Sequence, residues 1–224
     1  MSNLIVMLTL NDKTVENAIE CFQSCVDLPI EYWGFKNVGI PYEKMTELVK
    51  VLKKNSKKIV LEIVSYDEEE GLKAIRFAKA QKVDYLIGTI FNPKFKDELK
   101  GTDIQYLPFV GKVYGAPSIL EGSFEDFANQ LNYFEEQKLE GVDLLAYRYA
   151  CGDGLNLAQV VVKQTTMKVV IAGSINSERK IRDVLNLNPW AFTIGSALFR
   201  GKFLEGKDFR ANLQKVIEII DNLS

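Results

Sequence analysis

Two Gly-Ser pairs near the C-terminus carry the clearest chemical signal in this chain. One lies in Ile171-Ala172-Gly173-Ser174-Ile175, the other in Ile194-Gly195-Ser196-Ala197-Leu198. Each follows a short apolar run and precedes a helical segment. Glycine has no Cβ, so a ligand can come close to the backbone N–H groups, and the helical turn that follows favours an anion at its N-terminus. A single Gly-Ser is common in loops. Two of them, each at the end of a buried strand, predict that Gly173, Ser174, Gly195 and Ser196 form a cup for phosphate. The plainer alternative is that both glycines only make tight turns.

The residues that could act beside such a cup are fewer. Glu62 interrupts the apolar run Ile59-Val60-Leu61-Glu62-Ile63, and a carboxylate in a buried strand is costly unless paired. It is either an acid–base group or one half of an ion pair inside the fold, with Lys36 or Arg148 as partner. Arg148 ends the run Asp143-Leu144-Leu145-Ala146-Tyr147. Its guanidinium stays protonated and cannot form a Schiff base, but it can clamp a carboxylate or stabilise an oxyanion. Lys36, after Ile30–Phe35, is the lysine best placed at a strand end, with a surface role as the alternative. Asn11, Thr89, Asn92 and Asp153 are weaker candidates, because the same residue types build turns. Tyr149–Gly154 has two glycines around an acid and reads as a mobile substrate loop.

Composition restricts the chemistry further. The chain contains no histidine, which removes a Ser-His-Asp triad, a His-ligated zinc and a histidine general base. Catalysis must rest on carboxylates, Lys, Arg, Tyr, Cys, hydroxyls or metal-bound water. Its 28 basic and 30 acidic residues give a net charge of −2, and they are mixed along the chain, so neither nucleic acid nor membrane is an expected partner. Cys21, Cys25 and Cys151 form no disulfide or zinc pattern. The apolar stretch Leu4–Leu10 lacks the basic flank of a signal peptide. A reducing, cytoplasmic setting is the expectation.

The elements that must position these residues alternate along the chain. Strands are predicted at Leu4–Leu10, Ile30–Phe35, Lys58–Val64, Tyr85–Ile90, Ile104–Val110, Asp143–Tyr147, Lys168–Ala172 and Ala191–Ile194. Helical segments lie between them, at Val15–Val26, Glu43–Lys54, Glu68–Gln81, Phe124–Lys138, Leu155–Thr165 and Ser177–Leu185, and Phe209–Asn222 follows the last strand. The continuous apolar run Val169-Val170-Ile171-Ala172 marks a parallel strand buried on both faces. Eight strand–helix units in 224 residues, 47% of them apolar, predict one α/β domain over residues 1–224, a single (β/α)8 TIM barrel with a parallel eight-stranded sheet. An open doubly wound sheet is the alternative, but no Gly-rich turn follows the first strand. In a barrel, the loops after strands seven and eight are where phosphate recurrently binds.

With the two Gly-Ser turns in those places, the sequence resembles the ribulose-phosphate-binding barrel superfamily, which includes phosphosugar epimerases, hexulose-phosphate synthases and ketogulonate-phosphate decarboxylases. Leu61-Glu62-Ile63-Val64-Ser65-Tyr66-Asp67 looks like the L-D-x-K-x-x-D signature of the last two groups, with Glu62 for the first acid and Asp67 retained. The catalytic lysine position is Val64, which cannot move a proton. The resemblance implies acid–base work by Glu62 with Asp67 and a cationic stabiliser in Arg148 or Lys36. It also implies a Mg²⁺ site, for which Glu31 is an offset match that could share the ion with Glu62, and a homodimer.

Three functions follow as expectations. The first is an enzyme that isomerises, epimerises or cleaves a small phosphorylated sugar or keto acid. The second is a non-catalytic phosphometabolite-binding or regulatory barrel that keeps the cup without the chemistry. The third is a flavin- or nucleotide-binding barrel. An enzyme should bring Glu62, Arg148 and another titratable group together near the phosphate position. A sensor should fill that volume with Trp33, Phe35, Tyr147 or Tyr149.

Overall fold

A computed structural model of the chain describes residues 2–223. Eight parallel strands close into one barrel: β1 (Asn3–Met7), β2 (Tyr32–Lys36), β3 (Lys58–Ile63), β4 (Tyr85–Ile90), β5 (Gln105–Phe109), β6 (Gly141–Leu144), β7 (Lys168–Ile171) and β8 (Ala191–Ile194). They pair in sequence order, and β8 returns to β1 through Asn3↔Ala191 to Val6↔Ile194. The helices around them are α1 (Ala18–Gln23), α2 (Tyr42–Lys54), α3 (Glu68–Gln81), α4 (Pro93–Glu98), α5 (Phe124–Glu136), α6 (Gly154–Gln164), α7 (Glu178–Leu187), α8 (Ser196–Phe199) and α9 (Phe209–Asp221). The predicted TIM barrel is therefore the fold. No described helix is long and apolar enough to cross a membrane.

Strand composition explains the closure. Ile5, Val60, Ile87, Val142 and Val170 are fully buried, as expected for strands covered on one face by helices and on the other by the barrel interior. The end where the strands begin is plugged by aromatic rings. Trp190 lies 4.8 Å from Tyr85 and 5.8 Å from Tyr32 between ring centroids, and the Lys168 ammonium sits 5.0 Å over Trp190. That leaves the other end, where the strands finish, to carry polar groups.

Several expected boundaries differ. The sixth strand stops at Leu144, and Ala146–Arg148 form a 3-10 turn, so Arg148 stands above the sheet instead of within it. The first strand stops at Met7; Thr9–Leu10 and Lys13–Thr14 then form a small antiparallel ladder that folds over the mouth. After β5, Lys112–Tyr114 and Ile119–Glu121 form a second hairpin that the sequence reading did not contain.

Candidate active site at the mouth of the barrel

The site is built from a chain of ion pairs. Lys36 ends β2 directly beside Glu62 of β3 in the strand register. Its Nζ lies 3.2 Å from Glu62 Oε1 and 2.9 Å from Asp12 Oδ1. Arg148 donates to both Asp12 oxygens at 2.8 Å, the bidentate geometry that suits a guanidinium. The order is Arg148–Asp12–Lys36–Glu62, two cations alternating with two carboxylates. The Lys36 and Glu62 side chains are each only 6% exposed, so each requires its partner.

The local fold fixes these groups. Asp12 reaches the mouth because Asn11 and Asp12 turn the chain in the left-handed region, at φ 52° and 60°. The Thr14 hydroxyl donates to the Lys36 carbonyl and accepts from the Lys36 N–H, both at 2.8 Å, tying that turn to β2. Asn37 bridges to β3, accepting from the Val64 N–H at 3.0 Å and donating to Ser65 Oγ at 2.8 Å. On the far side of β3 the β4 register shifts at Ile87–Ile90, with the Thr89 hydroxyl donating to the Ser65 carbonyl at 2.9 Å. The hairpin after β5 contributes Ser118, whose hydroxyl lies 2.7 Å from Tyr66 Oη.

Positive φ at residues other than glycine is informative here. Among the described residues it occurs at eight positions. Ser56, Lys82, Lys138 and Asn188 end helices α2, α3, α5 and α7, where a left-handed residue is ordinary. The other four, Asn11, Asp12, Thr89 and Ser174, are all at the barrel mouth. Strain gathered at one end of a fold is held there by the surrounding structure and is characteristic of functional sites.

Electrostatics follow the geometry. Burial works to raise the Asp12 carboxyl, but the Arg148 hydrogen bonds and the charges of Lys36 and Arg148 outweigh it and hold the group well below the usual carboxylate range. Burial works against the Lys36 ammonium, yet Glu62 and Asp12 together raise it above an ordinary lysine. Asp143 behaves in the opposite way. It is completely buried on β6, and neither carboxyl oxygen has a hydrogen-bond partner among the described residues. Burial first, and then the Glu62 charge, push it well above the ordinary aspartate value, against the pull of Lys36 and Arg148.

The Gly-Ser turns meet this cluster in one cavity of about 760 Å³. Its wall includes Gly173, Ser174, Gly195 and Ser196 on one side and Asp12, Lys36, Glu62 and Arg148 on the other. Gly195 packs so closely on the end of β1 and the ladder after it that a Cβ would fall 2.6 Å from Thr9 Oγ1 and 3.0 Å from Met7 Cβ. Gly173 adopts φ 78°, and a Cβ there would lie 2.9 Å from Arg148 Nε. The cup and the ion-pair chain therefore touch at Gly173–Arg148. Cations border the cup: Lys180 donates to the Ser174 carbonyl at 2.8 Å, and Arg200 donates to Asn11 Oδ1. The Asn11 N–H in turn donates to Ser196 Oγ at 3.1 Å. Substituting Gly173→Ala should push Arg148 off Asp12 and weaken phosphate-ester binding at least tenfold, read by isothermal titration, because the new methyl group meets the guanidinium and φ is unfavourable for alanine.

Other candidates fall outside the cavity. Asp67 is exposed and caps α3, accepting from the Glu69 and Glu70 N–H groups at 2.9 and 3.1 Å. Asn92 and Asp153 cap α4 and α6 in the same way. Glu31 precedes β2 at the end where the strands begin. It is exposed, and five residue steps along the strand, roughly 16 Å at about 3.3 Å each, separate it from Lys36, the register neighbour of Glu62. The structure does not bring Glu31 to Glu62, and no group of three or more metal-ligating Cys, Asp or Glu side chains exists among the described residues. The donors do not fit the expected Mg²⁺ pair. Trp33 packs outward against Phe22 at 4.9 Å, and the Tyr149 hydroxyl donates to the Gly122 carbonyl; neither fills the cavity. Sequence reasoning missed Asp12 and Asp143. The second could have been found by the rule that singled out Glu62, an acid within an apolar strand.

No protein-family profile and no functionally curated protein matches the sequence. Solved structures match in fold. An orotidine 5'-phosphate decarboxylase from Pyrococcus horikoshii OT3 superposes with a TM-score of 0.71 at 14% identity, over 98% of each chain. A 3-hexulose-6-phosphate synthase from Salmonella typhimurium gives 0.70 at 14%, over 99% of this chain and 100% of the other. An N-acetylmannosamine-6-phosphate 2-epimerase from Clostridium perfringens gives 0.65 at 13%, over 97% and 93%. These similarities are ones of fold. At that level they bear out the predicted (β/α)8 barrel.

Proposed function

We propose that this barrel binds a small phosphorylated sugar or keto acid and acts on it by acid–base chemistry, as an isomerase, epimerase or C–C lyase. One observation carries the reading: the two Gly-Ser turns and the Arg148–Asp12–Lys36–Glu62 chain line the same cavity. The turns would take the phosphate on backbone N–H groups, with Lys180 and Arg200 adding positive charge. The reacting carbons would then lie over Lys36 and Glu62. Glu62 would move the proton, and Lys36 or Arg148 would stabilise the developing oxyanion. The structural neighbours named above act on phosphorylated compounds according to their descriptions, which agrees with this substrate class.

Lys36 and Glu62 already satisfy each other, and this favours a second reading, a barrel that binds the same ligand without turnover. A screen of phosphosugars and phosphorylated keto acids separates the two. Any turnover found should drop at least a thousandfold in Glu62→Gln while binding persists; unchanged turnover would remove Glu62 from the chemistry. Binding with no turnover across the screen would support the non-catalytic barrel.

A further inference from the structure

Asp143 takes no part in the ion-pair chain, yet it is a carboxyl side chain wholly enclosed by the barrel. It is fully buried on β6 between Phe109 of β5 and Val170 of β7, with both oxygens unpartnered. Those two neighbours are apolar. The charged groups that act on it come from Glu62 on β3, Lys36 on β2 and Arg148 above its own strand. The chain of ion pairs is already balanced, two cations against two carboxylates. An ionised Asp143 would be a third carboxylate behind them with no cation of its own. Burying such a charge is far more costly than burying the neutral acid.

We propose that Asp143 is a positioning residue that works as a neutral carboxylic acid: by withholding a third negative charge it leaves Lys36 and Arg148 committed to the mouth, where a ligand anion meets them. The role rests on the phosphometabolite reading of the cavity. Asp143 does not line the cavity, so it acts through its neighbours and never on the ligand. When Asp143 ionises, its charge competes for Lys36 and Arg148 from behind, and anion binding at the mouth weakens.

The test uses the full chain with ¹³C-labelled aspartate. The Asp143 carboxyl resonance, assigned by its loss in Asp143→Asn, should titrate well above the ordinary aspartate range. Its midpoint should fall in Glu62→Gln, which removes the repelling charge, and rise in Lys36→Met, which removes an attracting one. Sulfate, which stays fully ionised above the ordinary carboxylate range, is the anion probe: wild-type affinity should fall at least threefold as pH rises through that midpoint, and Asp143→Asn should abolish that dependence. A carboxyl titrating in the ordinary aspartate range, or a midpoint unmoved by both variants, would overturn the proposal. So would sulfate affinity with the same pH dependence in wild type and Asp143→Asn. Absence of sulfate binding at every pH would instead refute the cup, and the resonance titrations would still decide the state of Asp143.

Discussion

Lys36→Met should destabilise the protein by about 3 kcal/mol, the usual scale for breaking a buried ion pair from one side. The large effect comes from what stays behind. Glu62 is nearly buried and, among the described residues, has no other cation at this distance, while Asp12 keeps Arg148. Urea unfolding should therefore show a lower midpoint with an unchanged slope. Adding Glu62→Leu should return most of the loss, because it removes the orphaned charge and places an apolar group in an apolar strand. A double variant as unstable as Lys36→Met would mean that the lysine stem, and not the charge pairing, holds the mouth together. Ligand binding should not return fully with the stability, because one of the cations lining the cavity is still missing.

The pH dependence of stability should be shaped from both sides by two aspartates with opposite shifts. Asp12 is held below the ordinary carboxylate range by Arg148 and Lys36, against the effect of burial. Its folded state releases the proton more readily than the unfolded chain, so its contribution is present above about pH 4 and is lost as pH falls. Asp143 is raised by burial and by Glu62. Its folded state holds the proton longer, so its contribution is full below about pH 4 and is lost as pH rises towards the raised midpoint, by about 1.4 kcal/mol per pH unit for one proton. Asp12→Asn should flatten the acid limb and lower the maximum, since Arg148 and Lys36 lose their shared partner. Asp143→Asn should flatten the decline towards neutral pH and leave the variant more stable than wild type at pH 8. Equal slopes for wild type and Asp143→Asn between pH 5 and 8 would show that Asp143 is ionised throughout.

Much of the barrel was legible because its rules are local. Apolar β-branched runs such as Val169–Ala172 can only be buried parallel strands in this alternation, and Gly173-Ser174 and Gly195-Ser196 fall at their ends. Glu62 and Lys36 were legible for the same reason, being polar residues at the ends of apolar runs. Asp12 was not, because its place depends on two consecutive left-handed residues and a ladder that folds back over the mouth, and neither has a strong sequence signal. Asp67, Asn92 and Asp153 were over-read, because the residue types that bind ligands at a strand end also cap the helix that follows. Glu31 was misplaced by strand direction, which puts the residue before β2 at the opposite end from the residue that closes it. Arg148 reached the cavity by a route other than the expected one, on a turn above β6 instead of in the strand.

One cavity that joins the two Gly-Ser turns to the Arg148–Asp12–Lys36–Glu62 chain as a phosphate-ester site should hold inorganic phosphate in crystals of the protein soaked with it. The anion should lie between Gly173–Ser174 and Gly195–Ser196, bordered by Lys180, and be lost in Gly195→Val. Well-ordered phosphate bound elsewhere, with that position occupied only by water, would contradict that site.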